Sequence, residues 1–300
     1  MVKILYIAGF GRSGSTLIAS VLDQVPGFIS LGEVHYVWDR GVLRDYRCGC
    51  GRRFHECPFW SQVLHQAYGD STKSLALNAA RMRDQLRARD LLRAGRSEHL
   101  LRGRLEDYAQ ALGQLYEAVR SQTSSRVIVD SSKTPSHGYV LEQVPKIELY
   151  ILHLIRDSRA VSFSWLRRKA YDEVNGQLMQ PQGILKSSGL WASWNAIAEL
   201  RWSKSTHYTR VRYEDFIENP RLVIQEIVRF TKEPCPDLPF ITAGGVELTP
   251  THAVAGNPSR FQHGRVPLTM DSEWKRAMKF HEKAVVTLMT WPMLVRYGYM

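Results

Sequence analysis

Residues 3–23, KILYIAGFGRSGSTLIASVLD, place a glycine-rich loop between a short apolar run and a helical pattern. The run at 3–10 is rich in β-forming residues and ends in glycines, which predicts a buried strand. Apolar residues then recur at helical spacing over 15–25, and Pro26 ends the pattern. In such a unit the loop N–H groups and the helix N-terminus bind phosphate or sulfate. The segment therefore predicts an α/β fold with an anion-binding loop.

The loop matches the Walker pattern G-x-x-x-x-G-K-[ST] through Gly9, Gly14 and Thr16, except that Ser15 stands at the lysine position. A nucleotide hydrolase needs that lysine to reach the β- and γ-phosphates, and it needs an acidic partner for Mg²⁺. The missing lysine argues against nucleotide hydrolysis.

The same loop matches the dinucleotide pattern G-x-G-x-x-G through Gly9, Gly11 and Gly14. Glu33 lies 19 residues beyond Gly14, at the end of a second strand-like run, where a ribose-binding acid belongs. Arg12 argues against this interpretation, because a bridging pyrophosphate leaves little room for a cation inside the glycine turn. A terminal, densely charged anion would instead bind such a cation.

Composition limits the class of protein and the kind of partner. The chain has 300 residues, 44% of them hydrophobic and 23% charged, which predicts one globular α/β domain over 1–300 rather than two domains. The 40 Lys and Arg exceed the 29 Asp and Glu, and the net charge of +11 favours an acidic partner. Nucleic acid, an anionic lipid surface and a multiply charged cofactor all fit that charge. Because the sequence shows no signal peptide and no membrane-spanning run, a cytoplasmic location is expected.

Strand-like and helical patterns alternate along the rest of the chain. Further strands are predicted at 28–33, 126–133, 148–157 and 207–216, and further helices at 158–170, 189–202 and 219–232. This order predicts a P-loop-like, mostly parallel sheet with helices on both faces. Ligands of such sheets bind at the carboxyl ends of the strands.

Three stretches are predicted as insertions into this pattern. Residues 71–122 hold two long helical patterns broken near Gly95. The eight arginines within 81–104 are interpreted as a solvated helix face rather than a docking patch. Residues 172–189 and 233–270 contain several glycines and prolines and are predicted as loops that cover a functional site.

Three of the four cysteines lie in CGCGRRFHECPFW. Cys48, Cys50, His55 and Cys57 together have the residue types of a four-ligand zinc site. Their spacing is tighter than in zinc fingers, and the two glycines favour a plain tight turn. A disulfide is disfavoured in a reducing cytoplasm. The sequence alone therefore favours a turn without a metal.

Two segments resemble the donor-binding motifs of sulfotransferases. GFGRSGSTL, residues 9–17, resembles their 5′-phosphosulfate loop, particularly the PRSGTTL form of tyrosylprotein and carbohydrate sulfotransferases. LIRDSRAVSFS, residues 154–164, resembles their 3′-phosphate element R-D-x-R-A-x-x-x-S. This chain departs in having Gly11 where many members have proline, and Ser15 in place of threonine.

Later segments extend the resemblance over nearly the whole chain in scattered pieces. VRYEDFIENPRLVIQEIVRF, residues 211–230, looks like a strand and helix of the same superfamily, and residues 291–300 look like the close of many bacterial members. The sequence thus resembles the bacterial type of sulfotransferase that uses 3′-phosphoadenosine-5′-phosphosulfate (PAPS) as donor.

The resemblance implies a role for each matching residue. Arg12 and the N–H groups of Ser13, Gly14, Ser15 and Thr16 would hold the 5′-phosphosulfate. Arg156 and Ser164 would hold the 3′-phosphate, and Tyr213, in the later strand and helix, would also contact the nucleotide. Asn257, Arg260 and Arg265 belong to a segment that resembles the one closing over the nucleotide in bacterial and carbohydrate sulfotransferases.

Three residues would act on the reacting groups, and Arg12, which holds the 5′-phosphosulfate, is one of them. The resemblance to tyrosylprotein sulfotransferases implies that Lys133 contacts the bridging or sulfuryl oxygen and that Glu33 is the general base. His35, expected on the same strand face as Glu33, and His137 are alternative bases, since cytosolic sulfotransferases use histidine.

The implied activity is sulfuryl transfer from PAPS to a hydroxyl of a small-molecule, natural-product or carbohydrate acceptor, with no metal required and no nucleic acid as partner. Two alternatives from other classes remain open at this point. One is an NAD-linked oxidoreductase, and the other is a binding protein that keeps the nucleotide site without chemistry.

Overall fold

The structure is a computed structural model that describes residues 1–85, 88–167 and 181–300, and its description of side chains leaves out residues 85 and 88–104. Five parallel strands form the central sheet in the order β2-β3-β1-β4-β5. Their bounds are β1 Val2–Gly9, β2 Phe28–Gly32, β3 Val127–Lys133, β4 Ile147–Ile155 and β5 Tyr208–Arg212. The predicted parallel α/β architecture is confirmed.

Helices cover both faces of the sheet because successive side chains of a strand point to opposite faces. In β1, Ile4 and Tyr6 belong to one hydrophobic cluster, and Leu5 and Ile7 belong to another. The helices are α1 Ser15–Leu22, α2 Pro58–Tyr68, α3 Thr72–Gln85, α4 Ala88–Thr123, α5 Pro135–Gln143, α6 Ser158–Leu166, α7 Ile184–Trp202, α8 Tyr213–Glu218, α9 Pro220–Phe230, α10 Trp274–Ala277 and α11 Phe280–Arg296. Helices α2, α4, α5 and α7 contribute to the first cluster, and α1, α8 and α9 to the second. In the described part of the chain, no helix is both long and apolar enough to cross a membrane.

The predicted loop at 233–270 contains a small antiparallel sheet instead. Strands β6 Ile241–Thr242, β7 Gly245–Leu248 and β8 Gly264–Pro267 pair in the order β6-β7-β8. The prolines that suggested an irregular segment lie outside the strands or at the end of β8, where they interrupt no ladder. A short 3₁₀ turn, Pro258–Phe261, connects β7 and β8.

Two other boundaries differ from the sequence-based prediction. Helix α4 continues through Gly95, where a break was predicted, so a single glycine does not end this long helix. The strand predicted at 207–216 ends at Arg212, and α8 begins at Tyr213.

The loop predicted at 172–189 is described only from residue 181, and α7 already begins at Ile184. Most of that loop and most side chains of the arginine-rich stretch 81–104 lie outside the described residues. That residues 1–300 form one domain stays a prediction.

Candidate active site

A cavity of about 500 Å³ lies at the carboxyl ends of the central strands. Parallel strands end at the same edge of a sheet, so residues far apart in sequence meet there. Each of the five strands contributes a lining residue at or just after its end: Arg12 after β1, Glu33 after β2, Lys133 in β3, Arg156 after β4 and Tyr213 after β5. The lining also includes Gly14, Ser15, Thr16, Ser164 and Asn257. The structure thus brings together most of the residues that the sequence predicted for the site.

The loop between β1 and α1 depends on glycines at two close approaches. Gly9 has φ 136°, and a Cβ there would lie 2.4 Å from the carbonyl oxygen of Leu154. Gly14 has φ 89° and precedes α1, and a Cβ there would lie 2.2 Å from the ring of Tyr213. Both positions require a residue without a side chain, because the backbone angle and the available space each exclude a Cβ.

Arg12 lies inside this loop in a left-handed backbone conformation, with φ 70°. Its guanidinium carbon is 5.0 Å from the centre of the Trp165 ring, an arrangement typical of a cation–π contact. Burial lowers the pKa of Arg12, whereas the negative charge of Glu33 raises it. Arg12 and Glu33 are therefore close enough for their charges to interact across the cavity.

Glu33 and Lys133 form an ion pair in the cavity. The ammonium of Lys133 donates to Oε1 of Glu33 at 2.6 Å and to the carbonyl oxygen of Ser131 at 2.7 Å. The two side chains are only 14% and 9% exposed, so water screens the pair weakly. An ammonium has three N–H donors. Among the described residues only these two oxygens accept from it, which leaves a third donor for an oxygen atom of a ligand.

Arg156 is buried immediately after β4, where Asp157 caps the next helix by accepting the backbone N–H of Arg159 at 2.8 Å. The Arg156 guanidinium donates to the carbonyl oxygen of Arg12 at 3.0 Å and lies 4.7 Å from the centre of the Tyr213 ring. The strand end, the helix cap and the aromatic ring together fix this cation beside the loop.

Asp271 contacts the same cation, and the sequence analysis did not predict it. One carboxylate oxygen lies 3.2 Å from Arg156 and the other lies 3.3 Å from Arg167. Burial alone would raise the pKa of Asp271, but these two arginines outweigh that effect and hold the pKa below its usual range. Asp271 therefore carries its negative charge at neutral pH next to the arginine that the sequence assigns to the 3′-phosphate.

The segment before the 3₁₀ turn Pro258–Phe261 lies against the loop and the end of β2. The backbone N–H of Asn257 donates to the hydroxyl oxygen of Thr16 at 3.2 Å. The backbone N–H of Glu33 donates to the carbonyl oxygen of Ala255 at 3.2 Å. This segment, residues 251–257, is called the covering segment below, and it borders both the anion loop and the end of β2.

Three residues of the predicted nucleotide site do not line the cavity. Arg260 is buried, and its guanidinium donates to the carbonyl oxygens of Gly256 and Arg47, both at 3.2 Å. Arg265 is exposed in β8. Ser13 is buried, and its hydroxyl has no hydrogen-bond partner among the described residues.

The two candidate histidines have different surroundings. The chain turns into a 3₁₀ helix at Val34, so His35 does not share a strand face with Glu33, although both line the cavity. Burial, reinforced by the charges of His137 and Lys133, holds the pKa of His35 well below its usual range. His137 lies outside this cavity and contacts Asp130 Oδ2 through Nε2 at 2.9 Å.

Comparison with known proteins identifies the family. The model of the family described as "Sulfotransferase family" matches residues 5–237, which is most of the chain. The chain belongs to the sulfotransferase family. No curated protein sequence matches it significantly.

A solved structure shows the same fold for this sulfotransferase. The sulfotransferase domain of the Synechococcus PCC 7002 olefin synthase superposes with a TM-score of 0.55 at 20% identity, over 100% of this chain and 94% of that one. The sulfotransferase domain from the curacin biosynthetic pathway gives a TM-score of 0.49 at 17% identity, over 96% and 97% of the two chains. A sulfotransferase from Mycobacterium avium gives 0.49 at 14% identity, over 98% and 76%.

A second cavity of the sulfotransferase, of about 350 Å³, adjoins the first. His35, Tyr36, Thr134 and Trp194 line both cavities. The second cavity extends from them toward Arg83 and Asp84 on α3. The ion pair of Glu33 and Lys133 thus lies near the junction between the anion loop and this adjoining space.

The three clustered cysteines of the sulfotransferase lie beside a histidine that the sequence analysis missed. His252 is close to Cys48, Cys50 and Cys57, whereas Nε2 of the candidate ligand His55 lies 3.0 Å from the carbonyl oxygen of Val42. His252 lies in the covering segment, which the sequence analysis singled out, but no sequence pattern pairs this histidine with the cysteines.

Proposed function

We propose that this sulfotransferase transfers the sulfuryl group of PAPS to a hydroxyl of a small-molecule, natural-product or carbohydrate acceptor. The observation that carries the proposal is the close pair of Glu33 and Lys133 in the cavity bordered by the anion loop. A base and an acid are both needed when a hydroxyl attacks and an oxyanion leaves. In this cavity the Glu33 carboxylate can act as the base and the Lys133 ammonium as the acid.

The two ends of the donor have matching cationic sites. The 5′-phosphosulfate binds Arg12 and the backbone N–H groups of residues 13–16, which precede and begin α1. The 3′-phosphate binds Arg156 and the hydroxyl of Ser164, which line the same cavity. Tyr213 packs against Arg156 and holds its guanidinium in place. Asp271 competes with the 3′-phosphate for Arg156, so it gives way or shares that cation when the donor binds.

The chemical step needs one proton transfer and one displacement at sulfur. The acceptor oxygen forms a bond to sulfur while the bond between sulfur and the bridging phosphate oxygen breaks. The hydroxyl proton passes to the Glu33 carboxylate. Lys133, through its third N–H, stabilises the negative charge that develops on the leaving oxygen. The products are the sulfated acceptor and 3′-phosphoadenosine 5′-phosphate.

The proposed step draws on fixed cations rather than on a metal ion, because a sulfuryl group carries less charge than a phosphoryl group. In this chain the threonine of the Walker-like loop, Thr16, accepts a hydrogen bond from the backbone of Asn257. That contact supports a role of Thr16 in holding the covering segment.

The acceptor occupies the adjoining cavity of about 350 Å³. Tyr36 and Trp194 line both spaces, and aromatic side chains of this kind favour a ring-bearing or sugar-like acceptor. His35 also lines both spaces and is uncharged at neutral pH because burial lowers its pKa. A neutral imidazole there orients the acceptor hydroxyl toward Glu33.

Two measurements test the proposal. In calorimetry, 3′-phosphoadenosine 5′-phosphate should bind and NADH should not. Incubation with PAPS carrying a labelled sulfuryl group and an extract of the producing cell should then yield a labelled product. Binding of NADH in place of the phosphoadenosine nucleotide would support an oxidoreductase. Nucleotide binding with no transfer to any compound would support a binding protein without chemistry.

A further inference from the structure

Three cysteines and one histidine bring their ligand atoms together away from the active-site lining. The atoms of Cys48, Cys50, Cys57 and His252 all lie within 4.8 Å of one another. Sγ of Cys50 is 3.7 Å from Sγ of Cys57, and Nδ1 of His252 is 3.4 Å from Sγ of Cys57 and 3.8 Å from Sγ of Cys48. The cysteines lie within residues 48–57, and His252 lies 195 positions beyond Cys57. The fold itself therefore assembles the cluster.

The three distances of 3.4, 3.7 and 3.8 Å match the edge lengths expected for a tetrahedral zinc site. With Zn–S of about 2.3 Å and Zn–N of about 2.0 Å, tetrahedral angles place two sulfurs about 3.8 Å apart and sulfur and nitrogen about 3.5 Å apart. A disulfide needs sulfurs at about 2.0 Å, and the four cysteines of the chain are free. A cluster of two irons would spread its ligands more widely than 4.8 Å.

The surroundings of the sulfurs suit thiolates. The backbone N–H groups of Cys50, Arg52 and Trp60 lie near the sulfurs of Cys48, Cys50 and Cys57 respectively. Cys48 and Cys57 are fully buried, and Cys50 is partly exposed. Three thiolates, one neutral histidine and one Zn²⁺ carry a net charge of −1, and Arg52 and Arg53 lie in the same turn of the chain.

His252 is held in place independently of the cysteines. Its ring stacks on Phe59, with 4.5 Å between the centres and 14° between the planes. Its carbonyl oxygen accepts the indole N–H of Trp60 at 2.9 Å. The backbone N–H of Gly49 donates to the carbonyl oxygen of the neighbouring residue Ala253 at 2.9 Å. These contacts hold the turn at 48–57 against the segment that contains His252, and the imidazole already faces the sulfurs.

We propose that Cys48, Cys50, Cys57 and His252 bind one zinc ion with four protein ligands. Four protein ligands close the coordination sphere, which is typical of a structural rather than a catalytic site. The ion joins the turn at 48–57 to the segment that carries Ala255 and Asn257 to the loop and to Glu33. Its role is to hold the covering segment, and it takes no part in sulfuryl transfer.

The first test is metal analysis of the full chain, produced with added zinc and purified without a polyhistidine tag. We expect one zinc ion per chain. Cys50→Ser and His252→Ala should lose most of it, and Cys235→Ser and His55→Ala should keep it. Cys235 is the cysteine outside the cluster, and His55 is the nearby histidine that does not reach it. Zinc well below one ion per chain in the unaltered protein would overturn the proposal, and so would zinc loss in a control variant.

A second test needs no variant and so does not depend on the folding of one. The chain produced with cobalt(II) in place of zinc should show the thiolate-to-cobalt charge-transfer band and the intense d–d absorption of a tetrahedral site. Titration with an organomercurial should release the metal as thiols are modified, and removal should lower the melting temperature. A spectrum without the thiolate charge-transfer band, or one typical of six-coordinate cobalt, would overturn the proposal.

Discussion

Glu33 has two cations near it, Lys133 at 2.6 Å and Arg12 across the cavity. Glutamine at this position keeps the shape and can still accept a hydrogen bond from Lys133, but it is not a base. Glu33→Gln should therefore lower turnover by about 10²–10⁴, the usual range for a positioned proton acceptor. Affinity for 3′-phosphoadenosine 5′-phosphate, measured by calorimetry, should stay nearly unchanged. The loss in turnover should be smaller for an acceptor whose hydroxyl is already acidic.

The matched control is Glu226→Gln, which makes the same chemical change at an exposed position on α9. It should leave both turnover and binding unaltered. Normal kcat with weakened nucleotide binding in the Glu33 variant would instead make that carboxylate a ribose ligand. His35, which lines the cavity, would then be the next residue to test as the base.

Arg156 offers a separate test of the donor's orientation. Arg156→Ala should weaken binding of 3′-phosphoadenosine 5′-phosphate by about 1.5–3 kcal/mol, because hydrogen bonds to charged groups are worth this much. Adenosine 5′-phosphate, which lacks the 3′-phosphate, should bind the variant and the unaltered protein equally well in calorimetry. Equal losses for both nucleotides would show that Arg156 acts on the fold, through Arg12 and Tyr213, rather than on the 3′-phosphate.

At the scale of elements, the loop between β1 and α1 is the most constrained segment. Gly14→Ala places a methyl group 2.2 Å from the Tyr213 ring and forces a non-glycine residue to φ 89°. The strain is about 1–3 kcal/mol for the backbone alone, and the collision adds to it. We expect nucleotide affinity to fall at least tenfold in calorimetry, because the N–H groups before α1 move.

Gly244→Ala separates the effect of backbone strain from the effect of a collision with a neighbouring side chain. Gly244 has φ 80°, close to that of Gly14, but a Cβ there meets nothing within 4 Å. This control should lower the melting temperature through backbone strain and leave nucleotide affinity intact. If both variants bind the nucleotide normally, the close packing of Gly14 on Tyr213 does not shape the anion site.

The sequence predicts elements well where a local pattern and the burial agree. The runs that became β1, β3 and β4 each contain a stretch of consecutive apolar residues, because helices cover both faces of a parallel sheet. The pattern fails for β6, β7 and β8, where strands as short as two residues lie among prolines. The helix break predicted near Gly95 is wrong because packing of the rest of α4 compensates for one poor helix former.

At the scale of the whole molecule, motifs predict the lining of the cavity because each follows a strand that ends at one sheet edge. Glu33 and Lys133 were assigned separately, and the structure places them 2.6 Å apart. Asp271 and His252 were missed because their partners are more than 100 residues away and no local pattern marks such a contact. Arg260 has the right residue type and segment, but its side chain binds carbonyl oxygens of the chain itself.

The net charge of +11 predicts that electrostatic attraction speeds the arrival of 3′-phosphoadenosine 5′-phosphate at the site. Attraction of an anionic nucleotide raises its association rate, and salt screens this attraction, since the Debye length falls from about 10 Å at 0.1 M to about 3 Å at 1 M. The association rate of 3′-phosphoadenosine 5′-phosphate should fall across that range, with a smaller change in dissociation. Stopped-flow fluorescence of Trp165 and Trp194, which line the cavity, gives both rates. Adenosine is the uncharged control, and equal salt dependence for both ligands would contradict electrostatic steering.

The position of β1 in the middle of the sheet sets an order of events during synthesis. Lys3 pairs with Val127 and Val2 pairs with Ile147, so β1 leaves the ribosome more than 120 residues before either of the strands that pair with it. Pairing over such distances is slow and leaves an apolar strand open to aggregation in the meantime. The anion loop is translated well before Tyr213, on which Gly14 packs, so it gains its folded shape only after Tyr213 has emerged.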